Sequence, residues 1–155
     1  MWVWRWVKSY GNNFGRVTTT IWRSAQPNPN KLRSYRDDYG IEAILNLRDD
    51  ADEKERAGAE SLGLAYWAVP MADDAIPEAR QVTGIINTLR SGIPMLIHCK
   101  GGRHRTGLAV ACYRVREQGW SKEEAWREAE RYGYYSAFGH GPLKEWFWDA
   151  FDGKQ

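Results

Sequence analysis

Cysteine is scarce in the 155 residues: Cys99 and Cys112 are the two present, thirteen positions apart. Neither belongs to the multi-cysteine framework of a small secreted domain, so a reducing, cytoplasmic setting is expected. An excess of charge of one sign is also missing. Lysine and arginine number 22 against 20 acidic residues, for a net charge of +2. No nucleic acid partner is therefore expected, and an anionic ligand has to be recognised locally. Long apolar runs are absent. The aromatic and basic segment Met1 to Lys8 lacks the stretch of a secretory signal or a spanning helix, although its character suits contact with a membrane surface. Internal repeats, low-complexity tracts and dividing linkers are missing too. The expectation is an N-terminal arm, residues 1–15, and one domain, residues 16–152, working as a monomer.

The composition is that of a globular protein, with 43% apolar and 27% charged residues, where disordered chains are poorer in the first and richer in the second. The nine tryptophans are read as core and groove packing with polar N–H tips. The run from Val17 to Arg23 is β-branched and aromatic and predicts a strand, ended by the turn residues Gln26 to Asn30. Leu32, Tyr35 and Tyr39 have helical spacing up to Gly40, and the apolar run Ile41 to Leu47 follows as a buried strand. The alternation repeats: a charged helix over 51–62, a strand from Leu64 to Val69 closed by Pro70, a helix from Pro77 to Arg90, and a brief strand from Pro94 to His98. Helices are then predicted from Thr106 to Gln118, from the capping box at Ser121, and from Pro142 to about Phe151. Strands alternating with helices predict an α/β fold, with a mainly parallel central sheet of four to five strands covered by helices on both faces. Ligands of such sheets gather at the carboxyl ends of the strands.

Cys99 sits at such an end. The order strand, Cys99, five residues, Arg105, Thr106, helix sets a thiol and a guanidinium at the two ends of one tight loop. Gly101, Gly102 and Gly107 let the backbone approach closely, so that N–H groups can point at an anion seated on a helix N-terminus. Arg105 supplies a planar fork for two phosphate oxygens, which lysine does not reproduce, and can stabilise transition-state charge. A helix N-terminus and nearby cations favour the thiolate, the nucleophilic form of cysteine. Attack by Cys99 on phosphorus gives a phosphocysteine, and Thr106 can donate a hydrogen bond to the departing sulfur. His98 is expected to hold the loop through hydrogen bonds rather than act as a base. Lys100, Arg103 and His104 make the loop basic and are, with the three glycines, the candidate substrate ligands. Cys112 lies in an apolar run and is read as packing. A zinc site from His98, Cys99, His104 and His140 matches no usual ligand spacing, and no metal is expected.

His98 to Gly107 matches the His-Cys-x5-Arg-Ser/Thr-Gly motif, and on it the chain resembles the protein tyrosine and dual-specificity phosphatase superfamily. Ile21-Trp22-Arg23-Ser24-Ala25-Gln26-Pro27 and Gly40 to Arg48 are similar to the bacterial and to the atypical plant and fungal dual-specificity branches, and the resemblance extends over residues 14–151. It implies a compact phosphatase fold, with neither metal nor organic cofactor. It also implies a mobile aspartate as general acid, for which Asp73, and after it Asp74, occupies the equivalent loop. The two-step route needs such a carboxyl to protonate the leaving oxygen and then deprotonate water.

The implied substrates are proteins phosphorylated on tyrosine, serine or threonine, or inositol phosphates, inositol pyrophosphates or phosphoinositides: Cys-Lys-x-Gly-basic-x-Arg-Thr-Gly resembles the loop of phosphoinositide phosphatases, and Gly-basic-His-Arg-Thr-Gly is similar to that of the fungal branch acting on inositol pyrophosphates. Tyr134, Tyr135, Phe138 and His140 are candidates for the pocket wall, or for aromatic packing. A sulfurtransferase or arsenate reductase also ends an anion loop in arginine, but His98 and Thr106-Gly107 speak against it. An inactive phosphate-binding module is the alternative from another class, and it has no need of an intact thiol.

Overall fold

The computed structural model describes residues 12–50, 53–136 and 140–151. Met1 to Lys8 and Phe138 lie outside them. In chain order the elements are β1 (Gly15–Arg16), β2 (Ile21–Ser24), α1 (Pro29–Tyr39), β3 (Ala43–Arg48), α2 (Glu53–Ser61), β4 (Ala65–Met71), α3 (Ala79–Leu89), β5 (Met95–His98), α4 (Arg105–Gln118), α5 (Lys122–Arg131) and α6 (Gly141–Ala150). Five strands form one sheet in the order β1-β2-β5-β3-β4. All neighbours are parallel except the β1–β2 pair. No helix among the described residues is long and apolar enough to cross a membrane.

Alternation along the inner strands sorts side chains to two faces. Ala43, Leu45, Leu47, Met95 and Ile97 join a core with Val82, Ile85 and Ile86 of α3, Leu108 and Val110 of α4, Trp126 of α5 and Phe147 of α6. Ile44 and Leu96 face the other way, against Leu32 and Tyr35 of α1 and Ala59 of α2. Helices thus cover both faces, and α4 is buried along most of its length, as its nearly continuous apolar sequence requires. Local signals set the helix ends. Asn28 caps α1 by accepting from Lys31 N at 2.8 Å, Gly40 closes it at φ 70°, and Ser121 opens α5 by accepting from Glu124 N at 3.1 Å.

Three boundaries differ from expectation. Val17 to Thr20 form a turn and not the first half of a strand, because Thr18 Oγ1 accepts from Thr20 N at 3.1 Å and from Ile21 N at 3.0 Å. A hydroxyl bonding its own backbone here outweighs the β-propensity of the threonines. The strand expected to stop before Pro70 runs through it to Met71. It lies at the sheet edge, where proline is tolerated, beside an irregularity in β3 between Asn46 and Arg48. Finally, Asn12 to Gly15, assigned to the arm on sequence, are tied into the domain: Ala25 N donates to Asn12 O at 2.8 Å, and Gly15 pairs with Arg23.

Candidate active site

Parallel pairing brings several chain segments to one place. In register, Ser24 of β2 and Asn46 of β3 both stand beside His98 at the end of central β5. The segments leaving β2, β3, β4 and β5 therefore emerge at the same, carboxyl end of the sheet. An open cleft of about 600 Å³ lies there, lined by Arg48, Asp49, Asp50, Ala72, Asp73, Asp74, Lys100, Arg105, Tyr135 and His140. Residues 99–104 cross from β5 to the first turn of α4, and Arg105 is the first residue of that helix.

Cys99, the first residue of this loop, is buried, 2% exposed. Arg105 is likewise buried, and its Nη1 donates to Asp49 Oδ1 and to Met71 O, each at 3.2 Å. Its Nε stands 3.5 Å from Asp73 Oδ1. The guanidinium is thus held between two carboxylates, both half exposed, which an arriving anion can displace. Thr106 Oγ1 is wholly buried and makes no hydrogen bond among the described residues. Gly102 has φ +68°, and a Cβ there would lie 2.6 Å from Ser24 O, so this turn of the loop presses on the end of β2. A Cβ at Gly107 would meet Tyr134 and Ala129 at ordinary contact distance.

His98 is sealed from solvent. Its Nδ1 lies 3.1 Å from Cys99 O and its Nε2 2.6 Å from Glu55 Oε1. Gln26 Nε2 donates to Glu55 Oε2 at 2.5 Å, and Gln26 N donates to Lys100 O at 3.0 Å. Arg48 Nη1 donates to Gln26 Oε1 at 3.0 Å and pairs through its other nitrogens with Asp50. That bond holds the Asp50 carboxyl down at a pKa of about 2. A polar network from α2 and the β2–α1 connection therefore underpins the loop.

Of the two candidate aspartates, Asp73 reaches both Arg105 and His140, with Oδ2 3.4 Å from His140 Nε2. Asp74 lines the same cleft. Lys100 also lines it, whereas two other expected ligands turn their side chains elsewhere. Arg103 lies over Gly133, its stem 3.2 Å from where a Cβ would stand. His104 stacks on His140 with centroids 3.5 Å apart and planes 3° from parallel, and its Nε2 meets Tyr135 O at 3.2 Å. Their main chain is what these two can offer an anion. Burial, then the neighbouring His140, lowers the pKa of His104. Asp73, His104 and His140 bring ligand atoms within 4.8 Å of one another. Stacked parallel imidazoles cannot, however, direct in-plane lone pairs at one ion, so this trio is no ligand set as arranged. Tyr134 donates to His140 O at 2.7 Å and packs on Trp126, a packing role. Tyr135 is 41% exposed at the cleft. Burial pushes the Cys112 thiol up to about 12.

Asp49, Glu55, Gln26 and Arg48 were given no role on sequence. Asp49 carried a usable signal, a carboxylate just past an apolar strand in a fold that binds ligands there. Glu55 carried none, being one of several charged residues in its segment.

Residues 10–155 match the model of the tyrosine phosphatase family. The chain belongs to that family. It is 30% identical over 125 residues to the dual specificity protein phosphatase TpbA of Pseudomonas aeruginosa, covering 79% of this chain and 55% of that one. It is 33% identical over 131 residues to the inositol diphosphatase DSP4 of Arabidopsis thaliana, covering 77% and 63%. The chain thus spans little more than half the length of these relatives. Among solved structures, P. aeruginosa TpbA superposes with a TM-score of 0.69 at 26% identity, covering 86% of this chain and 89% of that one. The core catalytic domain of the PP-IP phosphatase SIW14 from S. cerevisiae, in complex with citrate, does so with a TM-score of 0.73 at 24% identity, covering 86% and 82%, a likeness of fold.

Proposed function

We propose that this chain hydrolyses phosphate monoesters through a phosphocysteine, acting on proteins phosphorylated on tyrosine, serine or threonine. The observation that carries the reading is the buried Cys99 at the end of the central strand, joined by one short loop to an Arg105 guanidinium that faces the cleft between displaceable carboxylates. A phosphate dianion seats on the loop N–H groups and the N-terminus of α4, and Arg105 exchanges Asp49 and Asp73 for two phosphate oxygens. The Cys99 thiolate attacks phosphorus in line. As the S–P bond forms, the ester P–O bond breaks, and Asp73 protonates the leaving oxygen. Asp73 next takes a proton from water as its oxygen attacks phosphorus, and the S–P bond breaks to return the thiolate. Thr106 Oγ1, which has no other described partner, is suited to hydrogen-bond the departing sulfur. Asp74 is the second candidate for the acid.

The rim of the cleft supports a substrate with one phosphate. Four aspartates face three side-chain cations there, so further phosphates on a polyphosphorylated ring would lie among carboxylates. Tyr135 offers an exposed ring on which a phosphotyrosine can pack. Lys100 in the cleft, with the inositol diphosphatase activity named for the plant relative, supports inositol phosphates as the second reading.

The test is turnover with chelator present. Cys99→Ser is expected to bind phosphate but not hydrolyse p-nitrophenyl phosphate, and Arg105→Lys to fail despite its charge. A phosphotyrosine peptide is expected to exceed an inositol pyrophosphate in kcat/KM by about tenfold or more, roughly 1.4 kcal/mol. The reverse order would install the inositol reading, and robust activity in Cys99→Ser would remove the covalent mechanism.

A further inference from the structure

Two side chains outside the mechanism above, Asn13 and Arg23, grip the outer side of the anion loop. Asn12 and Asn13 have φ of 53° and 50°, the left-handed region that asparagine tolerates better than most residues. This turn carries Asn13 Nδ2 onto three carbonyls: Gly101 O and Gly102 O, each at 3.2 Å, and Tyr132 O at 2.8 Å. Three acceptors around one atom identify it as the amide nitrogen, since oxygen there would be repelled. Arg23 projects from β2, is 1% exposed, and donates from Nη2 to the same Gly102 O at 3.1 Å. Its guanidinium lies 3.8 Å from the ring centre of Tyr132. Burial works against this charge and Glu128 works for it. Neither Nε nor Nη1 of Arg23 has a hydrogen-bond partner among the described residues. Among the described residues the hydrogen bond to the loop is therefore the one this buried guanidinium makes.

In a trans peptide the C=O and the following N–H point in opposite directions. Drawing the carbonyls of Gly101 and Gly102 outward therefore turns the N–H groups of Gly102 and Arg103 to the other side, where an anion would sit. We propose that Asn13 and Arg23 are positioning residues that set these two peptide planes and thereby the affinity of the loop for a phosphate. The proposal rests on the loop being the phosphate seat described above. It gives the β1–β2 region, far from Cys99 in sequence, a part in transition-state stabilisation, because donors fixed in place need no reorganisation when charge develops.

Asn13→Gly keeps the left-handed turn but removes the side chain, and Arg23→Met keeps length and packing against Tyr132 but removes the donor. Inorganic phosphate affinity by calorimetry and p-nitrophenyl phosphate kinetics are measured on folded protein, beside thermal unfolding. Each variant is expected to bind phosphate about tenfold more weakly, roughly 1.4 kcal/mol, and to lose kcat/KM in step. Asn13→Asp, which sets a carboxylate against three carbonyls, is expected to lose more than Asn13→Gly. A purely structural role would lower the unfolding temperature and leave the affinity of the folded fraction alone. Phosphate affinity of Asn13→Gly within about twofold of wild type, under roughly 0.5 kcal/mol, overturns the proposal even if Arg23→Met fails to fold. Wild type that neither binds phosphate nor turns over overturns the phosphatase reading and this proposal with it.

Discussion

Replacing Glu55 with alanine probes whether the loop depends on support from α2. Glu55 is 5% exposed and its carboxylate receives His98 Nε2 at 2.6 Å and Gln26 Nε2 at 2.5 Å. Its removal orphans a sealed imidazole nitrogen and an amide near the surface. The orphaned imidazole nitrogen costs about 1–3 kcal/mol, and the lost bond to Gln26, which can turn to water, about 1 kcal/mol, so the sum comes to about 2–4 kcal/mol. In a domain of this size each kcal/mol lowers the unfolding temperature by about 2–4 °C, giving a fall of roughly 4–16 °C. Differential scanning calorimetry of Glu55→Ala, with the exposed Glu60→Ala as control, measures it. His98 also meets Cys99 O at 3.1 Å, so turnover by the folded fraction should drop as well. An unfolding temperature within about 2 °C of the control, with unchanged kinetics, would refute the claim that this buried network holds the loop.

Gly102→Ala combines a positive φ with a Cβ 2.6 Å from backbone that cannot yield. The left-handed conformation alone costs an alanine about 1–2 kcal/mol, so loss of phosphate binding and of stability by more than that is expected from titration and denaturant unfolding. Native alkylation with iodoacetamide near pH 8 should label Cys99 and spare Cys112, whose thiol burial raises to about 12, and mass spectrometry reads the sites. Phosphate should protect Cys99, and equal labelling of both would count against the site. His104 has its pKa lowered by burial and by His140, so the unfolded chain takes up a proton that the folded one refuses. Stability is therefore expected to fall as pH drops below about 6.5, the ordinary histidine value, and His104→Gln to flatten that slope in unfolding curves between neutral and acid pH.

The elements were largely legible in the sequence because each carries its own local signal. Short apolar runs placed β3 and β5, helical spacing placed α1 and α3, and Asn28, Gly40 and Ser121 act at helix ends through atoms within a few residues of themselves. The misread stretches are those where a short-range competitor or an edge decided: Thr18 hydroxyl bonding broke the first strand, and the edge position of β4 let it continue past Pro70. Within the site, the loop from His98 to Gly107 was readable because it is contiguous. Its supports were not, since Glu55 meets His98 across 43 positions and Asn13 meets Gly102 across 89.

By itself the sequence determined where the glycine-rich loop lies, with a cysteine at one end and an arginine at the other, since strand, loop and helix are contiguous and each carries a local signal. It likewise determined the alternation that makes a parallel sheet. Only the tertiary structure decided which residues surround that loop. Strand order set β5 between β2 and β3, and with it brought Asp49 and Asp73 onto Arg105 and Arg23 onto Gly102. It also turned Arg103 and His104 away from the cleft that their charge had suggested they line. The reason is that pairing between distant segments depends on how whole faces bury, and no local pattern records which polar side chains will meet at the strand ends when they do.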